Sequence, residues 1–416
     1  MVNEKGQREL CYVVKIDNIE PIVGADSVEA AIVGGWKVMV RKNTFKVGDY
    51  AIYFEIDSKL PETYWSEFLK SKHYKVKTQK FTFGGKGCFY SQGLLMSFDD
   101  FGIHGGNLSI IIELAMRANM GIDISKTFLT KELGVTYAVK EDNKRKSNVS
   151  KYEKMYMRKL ELFKEYPILK KIYKNFLGKR ILYLFLGRKS DSKSGWPVGR
   201  FPGVSKTDQE RIENMVWVLT DKTPFIKTLK VDGTSTTFIL EKKGKKFEEY
   251  VCSRNVRMFN ENQNNYHSEN ENVYWQVYKK YKIREFLENY IKEKKVKWVC
   301  LQGETAGCSE SGVKIQGDPN KLNDLKFYGF HLTDSENGRI DIATAAQCCQ
   351  KAGIDWVPII DDNYILPDEL EIFKKEADGE CEIGSGLREG YVYYKKTEPT
   401  FSFKNVSREY LLKHNQ

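Results

Sequence analysis

A lysine followed by aspartate and glycine, in Lys230-Val-Asp-Gly-Thr-Ser235, is the first arrangement in this 416-residue chain suited to covalent chemistry. A lysine amine attacks phosphorus only when it is neutral, whereas a free lysine stays protonated up to a pH of ~10.4. Burial at a strand end and nearby cations both depress that value, and a cleft supplies both. Asp232 suits a metal-bound water, and Gly233 permits a tight turn back. The same string also makes an ordinary hairpin with an Asp-Gly turn, so the chemistry needs partners elsewhere.

Those partners follow in order. Ser253-Arg254-Asn255 comes directly after the strand-like Tyr250-Val-Cys252, where an arginine can meet phosphate or ribose. Leu301-Gln-Gly-Glu304 ends in a carboxylate able to accept hydrogen bonds from ribose hydroxyls. Phe327-Tyr-Gly-Phe-His-Leu332 offers an aromatic face to a base. Glu389, opening Glu389-Gly-Tyr-Val-Tyr-Tyr-Lys395, carries a carboxylate suited to Mg²⁺, and Lys404 in Ser402-Phe-Lys404 suits an α-phosphate.

This series resembles motifs I, Ia, III, IIIa, IV and V of the covalent nucleotidyltransferases, which comprise DNA ligases, RNA ligases and mRNA capping enzymes. Three further stretches are similar to the RNA ligase 5 family, also called Deinococcus-type RNA ligases. They are Val204-Ser-Lys-Thr-Asp-Gln-Glu-Arg-Ile-Glu-Asn-Met215, Gly312-Val-Lys-Ile-Gln-Gly-Asp-Pro319 and Ser91-Gln-Gly-Leu-Leu95. The resemblance implies an ATP-dependent RNA ligase that seals 3′-OH/5′-phosphate ends or nicks. Lys230 would form lysyl-AMP, Asp232 and Glu389 would engage Mg²⁺ or Mn²⁺, and Glu304 would bind the ribose. Phe330 would stack on adenine, with Tyr328 as its rival on the same strand face, and Gly233, Arg254 and Lys404 would complete the nucleotide site. The implied partners are ATP and a nicked duplex of RNA or containing RNA, bound by a monomer. Related enzymes often carry Lys-x-Lys at motif V, but Val406 stands two positions after Lys404, leaving Lys395 or Lys396 as substitutes. A DNA ligase, a capping guanylyltransferase and a non-catalytic OB-fold nucleic-acid-binding protein stay open as alternatives.

The elements that must position these residues are α+β in pattern. Cys11–Asp17, Ala30–Val33, Trp36–Val40 and Tyr50–Ile56 have the partial alternation of short strands, and Lys86–Met96 adds a glycine-punctuated pair. About five short strands suit an OB-type β-barrel over residues 1–110. Residues 195–416 read as an antiparallel α+β domain, and the resemblance implies that it is a nucleotidyltransferase domain, ATP-grasp-like in layout. There Phe225–Lys230 is a strand, 231–234 a turn and Thr236–Leu240 the returning strand. Thr207-Asp-Gln-Glu210 matches a capping box and predicts a helix through Val218, and Asn272–Glu293 is helical in spacing.

Between these domains, residues 111–194 form a basic helical linker or insertion. Residues 140–189 hold 16 Lys/Arg against 5 Asp/Glu, a surplus that equals the whole chain's net charge of +11. That concentration favours a polyanionic partner, or else marks a solvated lysine-rich helix. Eight scattered cysteines without a Cys-x-x-Cys pair fit reduced thiols, and no zinc-ligand spacing occurs. The longest apolar runs are too short for a bilayer, and the N-terminus lacks a signal-peptide core, so an intracellular protein without a membrane partner is expected.

Overall fold

A computed structural model describes residues 1, 8–85, 87–102, 109–138, 193–195, 200–206, 208–258, 272–309 and 312–414. The basic stretch at 140–189, and the helical spacing expected over Lys151–Leu186, lie outside these residues.

The N-terminal strands form where alternation expects them. One antiparallel sheet runs Cys11–Lys15, Tyr50–Phe54, Leu94–Met96, and a second runs Asn18–Pro21, Val28–Val33, Trp36–Arg41. Period-two alternation gives the first sheet two buried faces. Tyr12, Ala51 and Tyr53 turn inward with Trp36, Val38 and Val40 of the second sheet, forming the barrel interior. Cys11, Val13, Ile52 and Phe54 turn the other way and pack on Trp65 and Leu69. Ile111, Leu114, Leu129 and Val135 join that second core, beyond the boundary expected at residue 110. Each fully buried large apolar side chain here contributes about 1.5–3 kcal/mol.

The C-terminal part is built from two sheets. A five-stranded sheet has the order Glu210–Arg211, Glu398–Val406, Gly390–Lys395, Phe225–Leu229, Ile359–Tyr364. A seven-stranded sheet has Lys246–Ser253, Thr234–Lys243, Trp298–Ala306 and Lys326–Asp334 at its centre, in that order. Helices Val273–Lys280, Ile283–Lys294 and Ile342–Lys351 pack into the main core with Phe238, Leu301 and Phe327. No helix among the described residues is long and apolar enough to cross a membrane.

Three local expectations are corrected. The strand before Lys230 and the strand after it belong to different sheets, so residues 230–233 are a crossing between sheets and not a hairpin turn. The helix expected through Val218 is instead a two-residue strand, Glu210–Arg211, followed by 3-10 turns at Ile212–Asn214 and Val216–Thr220. Parallel pairing of Arg211 with Lys404 and burial of Ile212 and Val218 outweigh the local capping signal. The helical run from 272 is split at Lys282, whose left-handed backbone (φ 47°) separates two helices.

The two parts meet through a polar seam. Asn214 accepts hydrogen bonds from the Trp36 indole (2.7 Å) and the Tyr12 hydroxyl (3.2 Å), and donates to Glu55 (2.9 Å). The Gly35 amide donates to the Glu213 carbonyl (2.7 Å), and a Cβ on Gly35 would come within 2.6 Å of the Glu213 backbone. Lys374, buried at 2% exposure, donates to Gln92 (2.6 Å) and pairs with Glu213 (3.2 Å).

Candidate active site

The crossing at 230–233 places Lys230 in a cleft of about 400 Å³ between the two sheets and the barrel. Pairing with the neighbouring strand fixes it: the Lys230 amide donates to the Gly390 carbonyl (3.0 Å), and the Leu229 amide donates to the Pro358 carbonyl (2.9 Å). The next residues leave the sheet, and the Asp232 carbonyl accepts from the Asn320 side chain (2.8 Å). Gly233 is required by proximity and not by a left-handed turn. Its φ is outside the positive region, and a Cβ would lie 2.3 Å from the Thr305 carbonyl oxygen.

Asp232, Gly233, Arg254, Glu304, Phe330, Glu389 and Lys404 all line this cleft with Lys230, although they span most of the C-terminal half of the sequence. Tyr328 does not line it; its side chain is 9% exposed and packs into the main core. The irregularity between Gln302 and Gly303 leaves Phe330 without a partner in the ladder, while Tyr328 is paired with Glu304. Lys395 is held elsewhere by Asp221 (2.6 Å), and neither Lys395 nor Lys396 lines the cleft.

Carboxylates dominate the surroundings of Lys230. Its Nζ lies 2.6 Å from Glu389 Oε1. Burial opposes the charge on Lys230, but Glu389, Glu304 and Asp232 together hold the ammonium above its ordinary value. Depression by burial, expected from the sequence, therefore loses to the nearby carboxylates, Glu389 foremost. Burial and the charges of Glu389 and Asp232, against Lys230, lift the Glu304 carboxyl to about 8. Glu389 Oε2 is buried without a hydrogen-bond partner. An orphaned carboxylate oxygen amid crowded acids fits a hydrated divalent cation, which relieves both the repulsion and the missing partner.

The same cleft holds two arginines, Arg211 and Arg8, that the sequence did not announce. Arg211 comes from the short strand beside Lys404, and Arg8 reaches in from the barrel side. Arg211 is 5% exposed and pairs with Asp57 (3.2 Å), yet its Nε and Nη1 are buried without partners. Burial, then Arg211 and Arg8, push the Lys404 ammonium down to about 7, with Asp208 opposing. Arg254 pairs with Asp208 at the cleft edge. Arg211 lies within Val204–Met215, the stretch likened to the ligases, but only its cross-strand register reveals its neighbour.

Comparison with known proteins agrees with this arrangement. The RNA ligase family model matches residues 223–409, and an OB-fold domain model matches residues 10–87. Naegleria gruberi RNA ligase with pyrophosphate superposes with a TM-score of 0.67 at 26% identity, covering 98% of this chain and 99% of that one. An arginine-to-alanine variant of the same ligase, with ATP and Mn, gives 0.67 at 25% identity with the same coverage. No curated protein matches the chain. The fold and site define a covalent nucleotidyltransferase with an N-terminal OB-fold domain. Within that class, residues 223–409 match the RNA ligase family, and the chain is a polynucleotide ligase.

Proposed function

We propose that the protein is an ATP-dependent RNA ligase that works through a lysyl-AMP intermediate on Lys230. The observation that carries this is the Lys230–Glu389 contact of 2.6 Å in a cleft lined also by Asp232, Glu304, Arg211, Arg8 and Lys404. Such a site serves both needs of phosphoryl transfer, positioning of a nucleophile and neutralisation of phosphate charge.

Lys230 Nζ attacks the α-phosphorus of ATP, forming a P–N bond as the bond to pyrophosphate breaks. Phe330 stacks on the adenine, Glu304 accepts from the ribose hydroxyls, and Arg254 steadies the nucleotide at the cleft edge. Lys404 faces the α-phosphate, while Arg211 and Arg8 meet the outer phosphates and so replace the missing second lysine of motif V. Mg²⁺ or Mn²⁺ held against Asp232 and Glu389 would supply the positive charge that lets Lys230 give up its proton and that offsets charge on the phosphate oxygens. The AMP then passes to a 5′-phosphate end, and a 3′-OH displaces it to close the phosphodiester. The barrel and the basic 140–189 stretch hold a nicked duplex through its backbone, and a need for RNA reflects contacts to 2′-hydroxyls and A-form shape. The enzyme acts as a monomer.

The test is a sealing assay on 3′-OH/5′-phosphate nicks with ribose or deoxyribose varied independently on each side. Sealing that requires ribose at the 3′-OH side supports an RNA ligase. Equal sealing of all-DNA nicks would make it a DNA ligase, and labelling by GTP in place of ATP would make it a capping-type transferase.

A further inference from the structure

Asp232 has an unusual support problem. It lies in the crossing between sheets, beyond the ladder that fixes Lys230, so its side chain needs an anchor from outside either sheet. One anchor comes from the far end of the chain. The Tyr410 hydroxyl donates to Asp232 Oδ2 across the cleft, and Tyr410 itself is 5% exposed. Its ring stacks on His414 with centroids 4.4 Å apart and planes at 23°.

The helix that carries Tyr410, Arg408–His414, is seated on both parts of the molecule. Leu411, the next residue, is 4% exposed and packs into the barrel interior with Tyr12, Trp36 and Tyr53. The Arg408 guanidinium lies over the Tyr90 ring of the barrel side (4.9 Å). On the transferase side, Asp378 accepts from the Ser407 hydroxyl (2.9 Å) and the Arg408 amide (3.0 Å). Successive residues of one turn thus point to a cation-binding carboxylate and to the core of the barrel.

We propose that Tyr410 is a positioning residue for Asp232, and that the C-terminal helix makes the placement of this carboxylate depend on the seating of the barrel. An O–H bound to one carboxylate oxygen restricts the rotation of the group. The barrel then does more than hold nucleic acid: its packing on Leu411 sets the site for the first chemical step. This rests on Asp232 meeting the metal as proposed above.

The experiment uses Tyr410→Phe, which keeps the ring and removes the donor. Hydrogen bonds to charged groups are strong enough that their loss reads as about a tenfold change. The Mg²⁺ concentration giving half-maximal lysyl-adenylate formation should rise about tenfold, with the KM for ATP within about twofold. Mn²⁺ affinity, read by electron paramagnetic resonance on Lys230→Met protein with α,β-methylene-ATP, should fall by a similar factor when Tyr410→Phe is added. Leu411→Met and Leu411→Ala should raise the Mg²⁺ midpoint alone but add little on top of Tyr410→Phe, as a coupled pair does. An unchanged Mg²⁺ midpoint in Tyr410→Phe, or fully additive effects with either Leu411 variant, would overturn the proposal. A wild-type protein that forms no lysyl-adenylate would instead overturn the ligase chemistry itself.

Discussion

Lys404 gives the sharpest quantitative consequence of its cationic neighbours. Its ammonium is pushed down to about 7 by burial and by Arg211 and Arg8. An ATP triphosphate neutralises those neighbours and favours the charged lysine, so binding should pull a proton onto Lys404. At pH 8, one unit above 7, about a tenth of the free protein carries that proton, so ATP binding should take up about 0.9 proton. At pH 6 the site is already about nine-tenths protonated and uptake should fall to about 0.1. ATP affinity contributed by this group is therefore greatest below 7 and declines as pH rises through it. Calorimetric titration of Lys230→Met protein in two buffers of different ionisation heat reads the proton count directly. Removing Lys230 leaves the larger causes, burial, Arg211 and Arg8, in place. Lys404→Met should abolish the uptake at pH 8. Equal uptake with and without Lys404, or none in either, would refute the charge assignment.

Other consequences separate the neighbouring aromatics and the basic stretch. Phe330→Ala should raise the KM for ATP by about tenfold with little change in melting temperature, since a base–aromatic stack is worth ~1–3 kcal/mol. Tyr328→Ala should do the reverse, losing about 3–5 kcal/mol of stability as a core aromatic truncation does, which thermal melting distinguishes at once. Deleting residues 140–189 should weaken RNA binding and flatten its salt dependence while leaving adenylation of Lys230 intact. Unchanged RNA affinity would make that stretch a structural insert.

The sequence exposed most of the cleft residues because they sit at a strand end or inside a strand with a readable pattern. Glu304, Phe330 and Lys404 belong to strands whose β-branched and aromatic runs are visible locally, and Glu389 directly precedes one. Arg211 was not legible in this way: its role comes from a parallel pairing with Lys404, nearly two hundred residues away. The same pairing turned an expected helix into a strand. Asn214 and Tyr410 were missed for a related reason, since both act across the seam between the two parts. The hairpin expected around Lys230 failed because Asp-Gly turn chemistry does not say which sheet the next strand will join. The charge state of Lys230 depends on three carboxylates brought together only by folding.

Covalent labelling of Lys230 tests the central claim most directly. Incubation with α-³²P-ATP and Mg²⁺ should label the protein, with the label on a peptide containing Lys230, and Lys230→Ala should stay unlabelled. Label that persists in Lys230→Ala, or a wild-type protein that never takes it up, would contradict the account.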